Sequence, residues 1–474
     1  MKNIRNTVIL LIIILTSFQF FGQEVPKLTI TDFSNLPATT INGKSFGYAG
    51  MLGGHQKDVF IVAGGANFPE GLPWEGGKKI WSKKVYIFEG GNWRLSKKEL
   101  PIPLGYSASV STQKGILTIG GNNANLVSDK VLFFAYDAST KDVVISEYPK
   151  LPEPLAFASA LLEGDFVYVV GGRNKNGSTN TFYRFNLKTK DKWEILTDFP
   201  GLPRALHTLA VQETQTNKKL FVIGGRNEVN GKKSETLTNY LSYDFKNKTW
   251  QDEGELEIDG KSRVLMGASS ETMGSMHIMV YGGSDEVLFD ELENIGLQLS
   301  LVENDSIINS LKNRRNAILN NHPGFSKEIL AYNSITKKWF VYDTLSTKIP
   351  VTALSFKDKD DFYIISGEVS PGIRTPKIQS FKIGDAAHPF GIVNYSVLAL
   401  YLLISVLIGI YFARKQKSTA DYFTGGGRIP WWASGLSVFG TLLSAITFMA
   451  IPAKAFVTDW SFFFLNVTAI LITP

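Results

Sequence analysis

Apolar and polar positions along this chain fall into two regimes. Between about residues 24 and 390, β-branched and aromatic runs alternate with polar, glycine-rich turns, the pattern of short strands. At both ends that pattern gives way to unbroken apolar stretches. Residues 1–23 carry Lys2 and Arg5 ahead of the apolar run Val8–Leu15, which predicts a secretory signal. Gly22, before Gln23, is the best small residue for cleavage, and an uncleaved anchor is the alternative. Ile392 to Phe412 holds 21 residues without a charge, against the ~20 that cross a bilayer as a helix. Arg414, Lys415 and Lys417 follow, so the positive-inside bias places residues 413–430 in the cytoplasm and the preceding segment outside, in agreement with an export signal. A second uncharged run covers Trp431–Ala453. A third starts near Trp460 and reaches Pro474 after 15 residues, an incomplete span.

The central region is periodic. A strand-like run ends in a glycine pair at Gly64-Gly65, Gly120-Gly121, Gly171-Gly172, Gly224-Gly225 and Gly282-Gly283, with Ser366-Gly367 a degenerate sixth copy, at spacings of 56, 51, 53, 58 and 84. An aromatic residue and then a tryptophan follow several pairs: Tyr86 and Trp93, Tyr183 and Trp193, Tyr243 and Trp250, Tyr332 and Trp339. This resembles the kelch repeat, with ~50 residues and four strands per blade. The expected fold is all-β: a six-bladed kelch β-propeller over 24–390, followed by transmembrane α-helices over 391–474. The long last spacing predicts a helical insertion, about 286–326, forming two short helices as a cap or lid. LTITDFSNLP at 28–37 echoes ILTDFPGLP at 195–203, the outer strand of a complete blade, and the sixth repeat (about 351–383) lacks that strand. The N-terminal segment is therefore expected to supply it and close the ring.

Composition removes several chemistries. A length of 474 residues leaves room for two to four domains of ~100–200 residues. With no Cys, disulfides, thiolate metal sites and cysteine nucleophiles are excluded. The net charge of +6 is interspersed, without a basic stripe, which argues against nucleic acid as a partner. His55, His207, His277, His322 and His388 show no metal-ligand spacing, and no nucleophile elbow or P-loop is present. Gly425-Gly426-Gly427-Arg428 precedes a membrane boundary rather than joining a strand to a helix, so it does not read as a phosphate loop.

The informative segment is SGEVSPGIRT, 366–375, which places Glu368 and Arg374 on a turn of the kind that lines one mouth of a propeller channel. Together with GGANFP at 64–69 and the insertion, it resembles the N-acetylneuraminate epimerase (sialic acid mutarotase) family of kelch propellers, in its cyclically permuted branch. The resemblance implies Glu368 and Arg374 as the catalytic pair. The implied reaction interconverts anomers of a 2-keto acid, with Glu368 moving protons and Arg374 clamping the substrate carboxylate; a salt bridge fixing the turn is the bland alternative. Asn67, in GGANFP, and Arg173, Arg204 and Arg226, near inferred inner strands or their turns, are candidate substrate-binding residues for an acidic sugar. No cofactor is expected for the propeller.

YFTGGGRIPWWASGLSVFGTLLSAITFMAIPAKAF, 422–456, is similar to the start of sodium:solute symporters. That resemblance implies a broken helix in which the Gly440 and Leu443 carbonyls, with the Ser444 hydroxyl nearby, form part of a sodium site; small residues that merely pack helices are the alternative. A complete symporter needs many more helices. The expectation is a periplasmic mutarotase tethered at the inner membrane to a sodium-coupled importer, against two rivals: a non-catalytic sugar-capturing propeller and a kelch protein-interaction module.

Overall fold

A computed structural model describes residues 28–37, 45–284, 287–384, 391–415 and 429–442, with isolated positions beyond. Residues 28–384 form one compact unit. It contains six antiparallel sheets, each with four strands in its main path. Blade one runs through Ala49–Gln56, Val59–Asn67, Val85–Glu89 and Asn92–Leu95, with Ile80–Trp81 added beside its second strand. Blades two, three and four begin at Ala108, Ser159 and Thr208, and blade five begins at Ser269. The first strand of each blade lies innermost and neighbours the first strand of the next blade around the ring.

Blade six is built from both ends of this unit. Leu354–Asp358, Asp361–Ile365 and Ile378–Ile383 are followed in space by Leu28–Phe33, which pairs antiparallel from Leu28 opposite Ile383 to Phe33 opposite Ile378. The closing strand is thus the one the sequence echo points to. Its Leu28 is buried with Met279, Tyr281 and Phe381, which covers what would otherwise be an open sheet edge.

The tryptophans of the repeat join neighbouring blades. Trp193 donates from Nε1 to the Pro149 carbonyl at 2.8 Å, Trp250 to the Thr197 carbonyl at 3.0 Å, and Trp93 to Ser34 Oγ at 3.0 Å. Trp339 lies against Tyr240 of the preceding blade, ring centroids 5.6 Å apart. Each indole fills an interblade gap with apolar area, and for Trp93, Trp193 and Trp250 the one donor is satisfied at the gap's edge.

The insertion in blade five forms two helices, α1 (Val287–Leu301) and α2 (Asp305–Asn320), longer than the two short helices expected. Asn304 caps α2, accepting from the Ser306 and Ile307 N–H groups. Arg314 on α2 pairs with Glu291 on α1 at 2.7 Å.

Described separately, α3 (Ile392–Lys415) has 24 residues, is long and apolar enough to cross a membrane, and ends in Arg414 and Lys415. Helix α4 spans Trp431–Leu442 and contains Gly440. The signal segment, Leu443, Ser444 and the rest of the last two apolar runs lie outside the described residues, apart from isolated positions.

Candidate active site

One position recurs in all six blades: the residue immediately after the glycine pair. These residues are Ala66, Asn122, Arg173, Arg226, Ser284 and Glu368, and each pairs with the residue just ahead of its own blade's inner strand or at its start. One step further along stand Gly50, Tyr106, Phe157, Leu206, Gly267 and Thr352, all with positive φ. Each of these six donates its N–H to the carbonyl of its counterpart in the preceding blade, at 2.7–3.2 Å, and the last bond, from Gly50 to Thr352, closes the circle. This backbone collar separates two cavities. On one side is a channel of about 210 Å³ lined by Ser107, Ser109, Ser159, Thr208, Ser270 and Ser355, among others. On the other is a cavity of about 430 Å³, floored by Tyr106, Phe157, Leu206, Gly267 and Thr352.

Glu368 and Arg374 meet in this second cavity. They sit opposite each other on a two-stranded hairpin, Glu368–Ser370 with Ile373–Arg374. Arg374 Nη2 lies 2.7 Å from Glu368 Oε1, and the Gly372 N–H donates to the same oxygen at 3.2 Å. The Arg374 side chain is 5% exposed and stacks at 4.4 Å on Phe68, from the GGANFP segment. Its Nε and Nη1 are buried without a hydrogen-bond partner among the described residues. A buried guanidinium with two unused donors is costly unless a ligand accepts from them.

The hairpin owes its placement to the degenerate pair. Ser366 takes the left-handed conformation (φ 57°) used by the first glycine of the other five pairs. Its hydroxyl accepts from the Tyr48 N–H at 2.7 Å and sits 2.9 and 2.7 Å from the Tyr48 and Thr375 carbonyls. At the hairpin tip, a Cβ on Gly372 (φ 75°) would come within 3.0 Å of Pro73 and Trp74, so glycine lets the 68–79 loop close over the turn.

That loop delivers Lys79, which sequence reasoning missed. Its Nζ lies 4.5 Å from the Tyr106 ring centroid and 5.1 Å from that of Trp81. Burial lowers its pKa to about 8, with Glu368 opposing and Arg374 reinforcing the shift. Burial likewise raises the Tyr106 phenol well above its ordinary value, and Glu368 adds to the effect. A lone lysine in a polar loop gives no sequence signal, whereas the residue after each glycine pair is a signal that would have found Ser284, also in this cavity.

Across the cavity stands the inserted helix α1. Arg226 reaches Glu293 of α1 at 2.9 Å and Glu228 at 3.0 Å, and lies over the Phe289 ring at 5.0 Å. Glu293 also accepts from the Ser234 N–H and hydroxyl. Trp74, in the 68–79 loop, donates to Asn320 Oδ1 of α2 at 2.8 Å. Phe289, Leu292, His322 and Phe325 complete this wall.

Three candidates fall outside this cavity. Arg204 is fully buried and spends its guanidinium on the Gly224 and Asn239 carbonyls and on Asn239 Oδ1. Burial lowers its pKa to about 10. Arg173 pairs with Glu228 at 2.5 Å and lines a neighbouring cleft of about 670 Å³ with Asn122, Asn174 and Lys175. Asn67 is buried opposite Ile80 in blade one and does not line the 430 Å³ cavity.

A six-bladed kelch-type propeller with an acid–guanidinium hairpin at one mouth is the class that fold and site define. A family model for N-acetylneuraminate epimerase matches residues 148–394, and the chain belongs to that family. The N-acetylneuraminate epimerase of Pasteurella multocida is 27% identical over 261 residues, 53% of this chain and 63% of the relative. That of Vibrio cholerae is 32% identical over 139 residues, 26% of this chain and 34% of the relative. The sodium/sialic acid symporter of Proteus mirabilis is 55% identical over 87 residues, 18% of each chain, so an epimerase-type propeller is joined here to a symporter-like segment. The chain spans less than two thirds of the length of these curated relatives.

Proposed function

We propose that the propeller interconverts the anomers of a sialic acid outside the cytoplasmic membrane and is tethered by α3 to the first helices of a sodium-coupled importer of that sugar. The observation that carries this reading is the Glu368–Arg374 pair in a cavity of about 430 Å³, within the ~300–1,000 Å³ usual for small ligands, with two buried Arg374 donors unsatisfied. Sialic acid is a 2-keto acid closed as a cyclic hemiketal. Exchange of its anomers requires a proton to leave the anomeric hydroxyl and another to reach the ring oxygen.

In this reading Arg374 binds the carboxylate through its free donors, a planar fork suited to two oxygens. Glu368, held by Arg374 and the Gly372 N–H, is the base toward the anomeric hydroxyl. Arg226 supplies a second cation, and Phe289, Leu292 and Phe325 face the less polar side of the sugar. The chemistry asked of these residues is proton transfer alone. In the same reading the Gly440 and Leu443 carbonyls contribute to a sodium site of the importer.

The test follows anomer exchange of N-acetylneuraminic acid by NMR with the full chain in detergent micelles. Glu368→Gln keeps shape but loses the base, and is expected to lower exchange by ~10²–10⁴-fold with little change in KM. Arg374→Lys keeps charge but loses the fork, and is expected mainly to raise KM. Wild-type protein that binds the sugar without accelerating exchange would make the propeller a capture module. Wild-type protein that neither binds nor accelerates would remove the sugar reading.

A further inference from the structure

Glu368 and Arg374 leave half of the reaction unassigned. Opening the hemiketal takes a proton from the anomeric hydroxyl, which a carboxylate can do, but it must also give one to the ring oxygen. Arg374 is a poor donor because a guanidinium holds its proton far above neutrality. Besides Arg226, which is held by Glu293 and Glu228, the cavity lining carries a further cation beside the hairpin, the Lys79 ammonium. It reaches the site from the 68–79 loop, and the Tyr106 and Trp81 rings flank it at 4.5 and 5.1 Å. Two aromatic faces favour the cation at a fixed place while offering no acceptor for its protons. Its donors are thereby left for a ligand in the cavity.

The geometry points to Lys79 as the acid partner of Glu368: a catalytic residue that protonates the ring oxygen as the hemiketal opens and takes that proton back as it closes. The inference rests on the mutarotase reading above. In the opening step Glu368 removes the anomeric hydroxyl proton, the O–H electron pair becomes the carbonyl π bond, and the bond from C2 to the ring oxygen breaks. Its electrons stay on that oxygen, which receives a proton from Lys79. The carbonyl then turns about the bond joining C2 to C3 and presents its other face. In closure the hydroxyl adds to C2 as Lys79, now an amine, accepts its proton. Glu368 returns its own to the new anomeric oxygen. Both groups end as they began, and no oxidant or other reactant is consumed.

The groups facing Lys79 are Glu368 and Arg374 on the hairpin and Tyr106 on the collar, with Arg226, Glu293 and His322 lining the cavity beyond. Because burial brings the ammonium to about 8, it is largely protonated at neutral pH yet able to cycle.

The experiment measures kcat/KM for N-acetylneuraminic acid exchange against pH, by NMR, for the full chain in micelles, as wild type, Lys79→Arg and Lys79→Met, with sugar affinity from calorimetry. Wild type should lose activity as pH rises through about 8, where Lys79 gives up the proton it must donate. Lys79→Arg retains a cation that cannot be shuttled. It should bind the sugar within a few-fold of wild type, exchange it about 10²-fold more slowly, and lose the alkaline decline. Lys79→Met should lose exchange to the same extent. Exchange by Lys79→Arg near the wild-type rate, or an alkaline limb unchanged in that variant, would overturn the assignment and make Lys79 an electrostatic clamp. An inactive wild type would instead refute the mutarotase reading itself, and this inference with it.

Discussion

Ser366 shows how one side chain both departs from a repeat and serves it. A serine in the left-handed region costs about 1–2 kcal/mol relative to glycine, which the hydroxyl offsets through its Tyr48 and Thr375 contacts. Ser366→Ala keeps the backbone cost and loses the hydroxyl, so the full chain should lose ~1–3 kcal/mol of stability. Ser366→Gly loses the hydroxyl but relieves the backbone, so its melting temperature should fall between alanine and wild type. If the two variants melt alike, the left-handed strain is not the relevant cost. At this scale the sequence was informative where it broke its own pattern: Ser366-Gly367 flagged the hairpin, and Glu368 and Arg374 stand together there. It was uninformative about direction. Arg204 and Arg226 each lie near a strand end, but the first turns inward to backbone carbonyls and the second outward into the cavity. Charge alone does not distinguish them.

Among elements, the collar and the inserted helices make the cavity. Glycine is needed at Gly50 because a Cβ there would lie 2.4 Å from the Tyr106 ring, whereas at Gly267 the nearest atom, Val351 Cβ, would be 3.3 Å away. Gly50→Ala should therefore displace Tyr106 and depress both melting temperature and exchange. Gly267→Ala should cost about 1–2 kcal/mol from backbone strain with smaller loss of exchange; equal effects would show that the ring contact is unimportant. Helix α1 is held by Glu293, which accepts from Arg226 and Ser234. Glu293→Gln should loosen that wall and raise the KM for sialic acid several-fold while kcat changes less; a kcat effect with unchanged KM would contradict it. The glycine period and the tryptophan spacing make the blades legible in the sequence. The collar was not legible, since Gly50, Tyr106, Phe157, Leu206, Gly267 and Thr352 share a backbone conformation and no chemical character. Lys79 was hidden for a similar reason, as its role depends on a loop folding over a turn some 290 residues away, counting from Lys79 to Gly372.

For the molecule as a whole, closure is the economical bond. Six residues at the N-terminal edge, Leu28–Phe33, complete blade six, so deleting them should leave Ile378–Ile383 as a bare edge and lower the melting temperature of the entire ring. Unchanged melting would refute that. Topology can be tested in a chain without cysteine: with Lys232→Cys and Gln416→Cys made separately, an impermeant thiol reagent should label the first alone in intact spheroplasts. Labelling of Gln416→Cys alone would invert the arrangement. The ring of hydrogen bonds from Gly50 round to Thr352 has a last consequence. Every blade gives it one N–H and one carbonyl, so no blade can leave the ring without breaking two bonds of the circle.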